Sequence, residues 1–271
     1  MESALGALGQ PRHGLLEAEH LLKRFGDFTA VNDLTLTVAE GEVLGLLGPN
    51  GAGKTTTINM CIGLLRPTAG SVRIAGYDVV RDAQVVKRLI GYVPDEPYLY
   101  DRLTGRDFVH LMGELYGMPE PLAEPVNRLL EYFDLLDAAD SQIAGYSHGM
   151  KQKTALCGVL IHDPRLLLLD EPTVGLDPKS ARLLKDTIRS LADQGRAVLL
   201  CTHILEIAQA ICDRVAIIDQ GRLIAQGSLD ELRGADRDSS LEDIFLRLTG
   251  GEEERGLARE LAAPSGGRAH G

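Results

Sequence analysis

Apolar residues in this chain follow two patterns that alternate along the sequence. Strict alternation of polar and apolar positions predicts antiparallel strands at 15–25 and 34–38. Short apolar runs bounded by turn residues predict further strands, at 43–47, 71–74, 90–93, 166–169, 197–201, 215–218 and 222–226. Helices are predicted between and after them, at 55–64, 81–88 and 239–249 and beginning at Pro178 and Ile204. This order indicates a parallel α/β core beside an antiparallel layer.

The middle of the chain follows a helical period. Between 104 and 160, apolar side chains recur three and four residues apart, as at Phe108, Leu111 and Leu115. The spacing predicts a helical subdomain, at about 97–160, inserted into the α/β domain. The predicted limits are a flexible leader at 1–14, the main domain at 15–234, a C-terminal helix at 235–250 and a disordered tail at 251–271.

The composition is that of a globular protein and narrows the choice of partners. The chain has 271 residues, of which 44% are hydrophobic and 25% charged, enough for a substantial core. Its formal net charge of −11 argues against a long basic track, so no nucleic-acid partner is expected. The apolar runs are far shorter than the roughly 18 residues that span a bilayer, and no secretory signal is recognised. The four cysteines are scattered, which predicts free thiols in a reducing compartment.

One segment carries explicit chemistry. Residues 48–55 fit the phosphate-binding pattern G-x-x-x-x-G-K-[ST] at every position, with a predicted strand before them and a predicted helix after them. Glycines let backbone N–H groups converge on a phosphate, and the helix N-terminus adds partial positive charge. Lys54 is predicted to contact the outer phosphates and Thr55 to bind Mg²⁺. The alternative is a glycine-rich turn with an incidental lysine.

A pair of acids follows a later apolar run. Asp170 and Glu171 come directly after four leucines at 166–169. A buried strand delivers such residues to its carboxyl edge, where α/β sheets bind ligands. Asp170 is predicted to hold Mg²⁺, and Glu171 to polarise a water against the γ-phosphate. A charged turn after a core strand is the simpler alternative.

Taken in order, these motifs resemble the ATP-binding subunit of ABC transporters over most of residues 15–234. Residues 146–150 (Tyr-Ser-His-Gly-Met) look like a divergent form of the family signature L-S-G-G-Q, and residues 175–177 (Gly-Leu-Asp) resemble its D-loop. His203, at the end of a predicted strand, resembles the switch histidine. Phe25 stands where the family places an aromatic ring that stacks on adenine. The resemblance implies a P-loop NTPase core with an antiparallel β layer and an inserted helical subdomain.

The resemblance also implies a role for each matching residue. Catalytic roles fall to Glu171, His203 and Asp177. The residues expected to bind ATP are Phe25, Gly48, Pro49, Asn50, Gly51, Ala52, Gly53, Lys54, Thr55 and Thr56, with Ser147 and Gly149 supplied by a second copy. Mg²⁺ is expected at Thr55, Asp170 and Asp95. ATP then closes a two-fold dimer, most simply a homodimer, and hydrolysis opens it.

Several of these residues also admit simpler roles. His203 could be a polar surface residue. Asp177 precedes Pro178 and could cap a helix, a role that is compatible with catalysis. Phe25 could belong to the core, in which case Phe28 could be the stacking ring.

The chain departs from the family pattern at two places. Asp95 follows Pro94 where the family commonly has glutamine; aspartate can still bind Mg²⁺, but it is anionic beside the γ-phosphate and shorter than glutamine. In the signature, His148 replaces a glycine and Met150 replaces glutamine, whereas Ser147 is retained. We therefore expect a working site with altered details.

The resemblance extends to the exporter branch of the family, on residues 91–105 and 146–152. In that branch the ATPase chain pairs with a separate membrane permease at the cytoplasmic face of the cell membrane. Residues 97–100 and Leu103 are predicted to receive the permease, and packing of this loop onto its own lobe is the alternative. Two other functions stay open: a soluble ABC-type ATPase acting on ribosomes or DNA, and a nucleotide switch with weak hydrolysis.

Overall fold

The computed structural model of the protein describes residues 14–234 and 239–250. Its strands are β1 (Leu16–Phe25), β2 (Phe28–Val38), β3 (Val43–Leu47), β4 (Ala69–Ile74), β5 (Tyr77–Asp78), β6 (Ile90–Val93), β7 (Leu166–Asp170), β8 (Ala197–Thr202), β9 (Arg214–Asp219) and β10 (Arg222–Gly227). Its α-helices are α1 (Lys54–Cys61), α2 (Ala83–Leu89), α3 (Gly105–Leu115), α4 (Ala123–Tyr132), α5 (His148–Leu160), α6 (Pro178–Asp193), α7 (Leu205–Ile211), α8 (Leu229–Arg233) and α9 (Leu241–Leu248).

The strands form two sheets, as the hydrophobic pattern predicts. The larger sheet of the described residues has the order β10-β9-β3-β8-β7-β6. All its neighbouring pairs are parallel except β9 and β10, which form an antiparallel edge. The smaller sheet is antiparallel, with the order β2-β1-β4-β5. This is the α/β core with an antiparallel layer that the sequence predicts.

Alternation within β7 divides the core into two halves. Leu166 and Leu168 pack with α1 and the antiparallel sheet, whereas Leu167 and Leu169 pack with the helices on the opposite face. Successive side chains of a strand point to opposite faces. Asp170 therefore lies on the same face as Leu168, toward α1, and this parity brings it to the phosphate loop.

Helices α3, α4 and α5 lie together between β6 and β7, within the range where the sequence predicts a helical subdomain. They enclose Phe108, Val109, Leu130 and Phe133, all of them buried, in a core that continues into the helical face of the large sheet. Thr104 caps α3 by accepting a hydrogen bond from the backbone of Asp107. The subdomain is thus packed directly onto the sheet that carries Asp170.

Several element limits differ from the sequence predictions for local reasons. Strand β2 begins at Phe28, six residues before the predicted 34, because Gly26 turns the chain with φ +58° and Phe28 pairs with Phe25. Helix α1 ends at Cys61, before the predicted 64, where Gly63 adopts φ +74°. Helix α2 begins at Ala83 rather than 81, since the backbone of Arg81 bonds Asp78 instead.

The predictions for the two ends fall largely outside the described residues. The flexible leader at 1–14 overlaps them only at Gly14, and the tail at 251–271 lies wholly outside. Helix α9 occupies the described part of the predicted 235–250 helix, and its buried Leu241 and Ile244 pack beneath α7 and β9. Across 14–234 and 239–250, no helix combines the length and apolar character needed to cross a membrane.

Candidate functional site

The phosphate loop connects β3 to α1 and needs glycine at several positions. A Cβ on Gly48 would lie 2.4 Å from the carbonyl oxygen of Ile218. Gly53 combines φ +103° with a Cβ position 2.7 Å from the carbonyl oxygen of Ala30. Both neighbours are backbone atoms and cannot move aside cheaply. The loop therefore runs so close to β2 and β9 that only glycine fits at these two positions, and it leads directly into the N-terminus of α1, which favours anions.

Lys54 lies buried beneath this loop. Its Nζ donates to the carbonyl oxygens of Gly48 at 2.7 Å and Pro49 at 3.2 Å. The same nitrogen stands 3.9 Å from Oε1 of Glu171. The ammonium is thus held between the loop and the acid pair, where the outer phosphates of a nucleotide would bring negative charge.

Thr55 and Asp170 meet directly. The Thr55 hydroxyl donates to Oδ2 of Asp170 at 2.9 Å, although 115 positions separate the two residues. Burial raises the pKa of Asp170 above its ordinary value, the Thr55 hydrogen bond lowers it, and the charges of Glu171 and Asp95 raise it again. A hydroxyl and a carboxylate are hard oxygen donors of the kind that suits Mg²⁺. These residues therefore fit the predicted metal ion.

Glu171 is fixed on several sides at the end of β7. Its backbone has φ +48° and its N–H donates to the carbonyl oxygen of Cys201, which extends the pairing with β8 by one residue. Thr202 Oγ1 and the backbone N–H of His203 donate to Oε2 at 3.1 and 3.3 Å. His203 Nδ1 donates to Oε1 at 2.9 Å. Both carboxylate oxygens of Glu171 are thus held by hydrogen bonds from the end of β8.

These residues surround one cavity of about 360 Å³. Its lining is Phe28, Ala30, Pro49, Asn50, Gly51, Gly53, Lys54, Thr55, Thr56, Asp95, Asp170 and Glu171. Asp95 therefore stands in the same cavity as the acid pair. The lining joins the phosphate loop, both acids and the antiparallel layer, as binding of a nucleoside triphosphate requires.

The candidate stacking rings lie at the tip of the β1–β2 hairpin. Phe25 and Phe28 face each other in the strand register, and both are exposed, so neither belongs to the core. Phe28 lines the cavity, whereas the ring of Phe25 has the ammonium of Lys23 5.0 Å from its centroid. The assignment of adenine stacking to Phe25 stays a prediction, and the cavity lining supports Phe28 as the alternative.

The signature residues lie away from this cavity. Ser147 is exposed and caps α5, where its Oγ accepts from the backbone N–H of Met150 at 3.3 Å. Gly149, in the first turn of the same helix, is half-buried. The cavity lining includes neither Ser147 nor Gly149, and their contact with the nucleotide of a second copy stays a prediction.

Asp177 caps α6. Its Oδ1 accepts from the backbone N–H groups of Lys179 and Ser180, and its Oδ2 accepts from the Ser180 hydroxyl at 2.7 Å. The Ser180 hydroxyl is the main reason that the pKa of Asp177 lies below its ordinary value. The capping role admitted by the sequence is thus present, and the catalytic role of Asp177 stays a prediction.

The sequence predictions missed two side chains at the site. Thr202 supports Glu171, and its position directly before His203 at a strand end was the available signal. Tyr92 lies on β6 near Asp170, and burial followed by the charge of Asp170 raises its pKa to about 12. The phenol thus stays neutral beside Asp170 at physiological pH.

Comparison with known proteins agrees with this geometry. A family model described as "ABC transporter" matches residues 31–174. The chain is 43% identical over 229 residues to the daunorubicin resistance ATP-binding protein DrrA3 of Streptomyces coeruleorubidus, covering 84% of this chain and 72% of that protein. It is 41% identical over 214 residues to the Nod factor export ATP-binding protein I of Burkholderia lata, covering 79% and 70%.

The fold is also similar to that of solved structures. An ATP-binding subunit of an ABC transporter superimposes with a TM-score of 0.82 at 35% identity. The match covers 86% of this chain and 99% of that one. Both the sequence motifs and the three-dimensional arrangement therefore point to the same family.

Proposed function

The chain belongs to the ABC transporter family, and we propose that it is the ATP-hydrolysing subunit that energises export through a separate membrane permease. One observation carries the hydrolytic part of this proposal. Glu171 is held by Thr202 and His203 in the cavity that contains the phosphate loop and the Thr55–Asp170 pair. A base, an anion-binding loop and hard metal ligands in one cavity are the components of phosphoryl transfer to water.

Nucleotide binding falls to residues 48–56. The N–H groups of the loop and the start of α1 receive the phosphates, and Lys54 leaves the carbonyl of Gly48 to contact the outermost one. Thr55 and Asp170 would hold Mg²⁺, with Asp95 as a further ligand at the carboxyl end of β6. A bound ion would offset phosphate charge, and beside Asp170 it would favour the charged carboxylate, which burial and then the charges of Glu171 and Asp95 disfavour.

Hydrolysis depends on Glu171. Its carboxylate accepts a hydrogen bond from the attacking water and orients it toward the γ-phosphate. His203 fixes one oxygen of that carboxylate through Nδ1, while its ring is half-exposed at the end of β8. Asp177, three residues beyond Val174 in the same loop, shapes this region by capping α6.

Two copies complete the site. Ser147 is exposed at the N-terminus of the 13-residue helix α5 and lies outside its own chain's cavity. In a two-fold dimer, Ser147 and Gly149 of each copy contact the γ-phosphate held by the other. ATP then closes the homodimer, and its hydrolysis removes the phosphate that both copies contact.

The permease docks on the loop before α3. Tyr98 is 90% exposed and Tyr100 is 60% exposed. Leu99 and Leu103, also assigned to the docking surface by the sequence, pack against the core of the helical subdomain instead. The contact with the permease therefore belongs to the tyrosines, and the subunit works as a peripheral protein at the cytoplasmic face of the membrane.

Export is supported over the other functions by the relatives, whose names specify drug resistance and Nod factor export. Hydrolysis is supported over a nucleotide switch by the hydrogen bonds that hold Glu171. The test is Mg²⁺-dependent ATPase activity of the full chain. Glu171→Gln should abolish turnover and trap an ATP-bound dimer in size-exclusion chromatography. Turnover at the original rate would exclude Glu171 as the base.

The membrane part has its own test. A tagged chain purified from detergent-solubilised native membranes should bring down a polytopic permease in fixed stoichiometry, identified by mass spectrometry. Recovery with ribosomes or nucleic acid instead would replace export by one of the other functions.

A further inference from the structure

The ring of His148 joins the signature segment to the loop that follows Glu171 in the same chain. Its Nε2 donates to the carbonyl oxygen of Val174 at 3.2 Å. Beside this bond, a Cβ on Gly175 would stand 2.7 Å from Cδ2 of the ring. Gly175 thus leaves the space that the imidazole fills. His148 is one of the residues at which the chain departs from the family signature.

The loop 171–177 links the His148 contact to Glu171. The backbone N–H of Val174 donates to the carbonyl oxygen of Glu171 at 3.2 Å, which closes a tight turn. Leu176 N–H donates to the carbonyl oxygen of Thr173 at 3.2 Å in the next turn. A displacement of the Val174 carbonyl therefore moves the turn that begins at Glu171.

The other end of the contact is the start of α5. His148 directly follows Ser147, the cap of that helix. One residue later, a Cβ on Gly149 would be in ordinary contact, 3.4 Å, with Leu176. Helix α5 and the loop 171–177 are therefore joined by the His148 hydrogen bond, and Leu176 lies close beside Gly149.

We propose that His148 is a positioning residue that couples the two ATP sites of the dimer through a single subunit. The inference rests on the proposed function, in which Ser147 contacts the nucleotide of the second copy and Glu171 acts on the chain's own nucleotide. When the second copy's nucleotide engages the N-terminus of α5, the imidazole shifts with it. Through Val174, the turn that holds Glu171 then settles into its working position.

The chemistry of the bond defines the informative variants. A carbonyl oxygen only accepts, so the ring must carry hydrogen at Nε2. Glutamine can donate an amide N–H over a similar reach, asparagine is one methylene shorter, and alanine has no donor. His110 on α3 is a histidine away from both sites, facing Glu114 and Glu120, and His110→Ala is the matched control.

The experiment measures ATP binding and steady-state ATPase kinetics of the full chain. His148→Ala should leave the Kd for ATP unchanged, because the ring does not line the nucleotide cavity. It should lower kcat about three- to tenfold, the effect of one lost hydrogen bond, and reduce the Hill coefficient for ATP toward 1. His148→Gln should restore both, and His148→Asn should not.

A steric variant tests the same link independently. Gly175→Ala places a methyl group against the ring and should lower kcat and the Hill coefficient in the unchanged chain. In a His148→Ala background the collision is absent, and the added methyl should cost less, leaving only the strain of φ +73°. Additive effects would contradict a contact between the two positions.

The outcomes separate this inference from the function on which it rests. Unchanged kcat and Hill coefficient in His148→Ala, or a Hill coefficient of 1 in the unchanged chain, would overturn the coupling role while leaving the ATPase intact. If His148→Ala does not fold, the His148→Gln and His148→Asn pair decides by the same criteria. Absence of ATPase activity in the unchanged chain, or full activity in Glu171→Gln, would instead reject the proposed function.

Discussion

The hydroxyl of Thr55 donates to Oδ2 of Asp170 at 2.9 Å, and this bond joins the first turn of α1 to the last residue of β7. The two residues come from separate motifs and meet because both lie on the face of the large sheet that α1 covers. The pair predicted to hold Mg²⁺ is thus brought together by strand parity and not by sequence proximity.

Asp170 should lower the stability of the protein. Its pKa is raised in the fold above the ordinary 3.8, so its contribution favours folding below pH 3.8 and is lost as the pH rises through the raised value. At pH 7, Asp170→Asn should therefore raise Tm while abolishing Mg²⁺-dependent ATPase activity. Thermal melts at several pH values test this, with the exposed Asp186→Asn as control. A lower Tm for Asp170→Asn would contradict it.

His203 should affect turnover and not nucleotide binding. Its Nδ1 holds Oε1 of Glu171, and it does not line the cavity of the nucleotide-free chain. His203→Ala should lower kcat by about 10²-fold, the usual contribution of a group that assists a general base, with little change in KM. Steady-state kinetics beside His110→Ala measures this. A rise in KM with unchanged kcat would assign His203 to binding instead.

Gly53 should be required in the phosphate loop for two reasons, its backbone conformation and the lack of space for a side chain. Alanine there would meet the carbonyl oxygen of Ala30 at 2.7 Å in addition to the strain of φ +103°. Gly76 has φ +82° but open space around its Cβ position, so Gly76→Ala isolates the strain, about 1–3 kcal/mol. Gly53→Ala should lose more unfolding free energy than Gly76→Ala in chemical denaturation, and it alone should lose ATP binding. Equal losses of unfolding free energy in the two variants would show that the chain relaxes to avoid the collision with the Ala30 carbonyl.

In the loop before α3, substitutions of exposed and of packed side chains should have different effects. Tyr98→Ala removes a ring that is 90% exposed and should release the permease without changing Tm. Leu99→Ala removes a side chain that packs against the helical subdomain and should lower Tm. Copurification from membranes and thermal melting of both variants test this. Retention of the permease by Tyr98→Ala would move the docking surface elsewhere.

The sequence predicts the parts of this protein whose signals are local. The leucines at 166–169 give a buried strand because its two faces are both covered, and the following acids then have to lie at its end. The phosphate loop is recognised because its glycines, lysine and threonine stand at a fixed spacing within eight residues. The backbone atoms that exclude a side chain at two of these glycines belong to Ala30 and Ile218, which are distant in sequence. Helix α8 was missed although Ser228 and Glu231 form a capping box, which is a readable sequence signal.

Other features have no local signal. The bond from His148 to Val174 joins residues 26 positions apart on a helix and a loop, and no periodic pattern brings them together. Tyr98 is exposed and Leu99 is packed because of how the subdomain folds. Adjacent apolar residues in a loop look alike in sequence, so this difference has no local signal. Strand β5 has two residues, too few to show any alternation.

The exposed position of Ser147, outside the cavity of its own chain, affects when ATP is hydrolysed. In the proposed dimer, an isolated copy lacks the groups that the second copy supplies to the γ-phosphate, so it binds ATP without hydrolysing it. In the proposed complex, a permease that holds two copies would raise their effective concentration to the millimolar range. ATP hydrolysis would then be confined to assembled transporters, and unpaired subunits would not consume ATP.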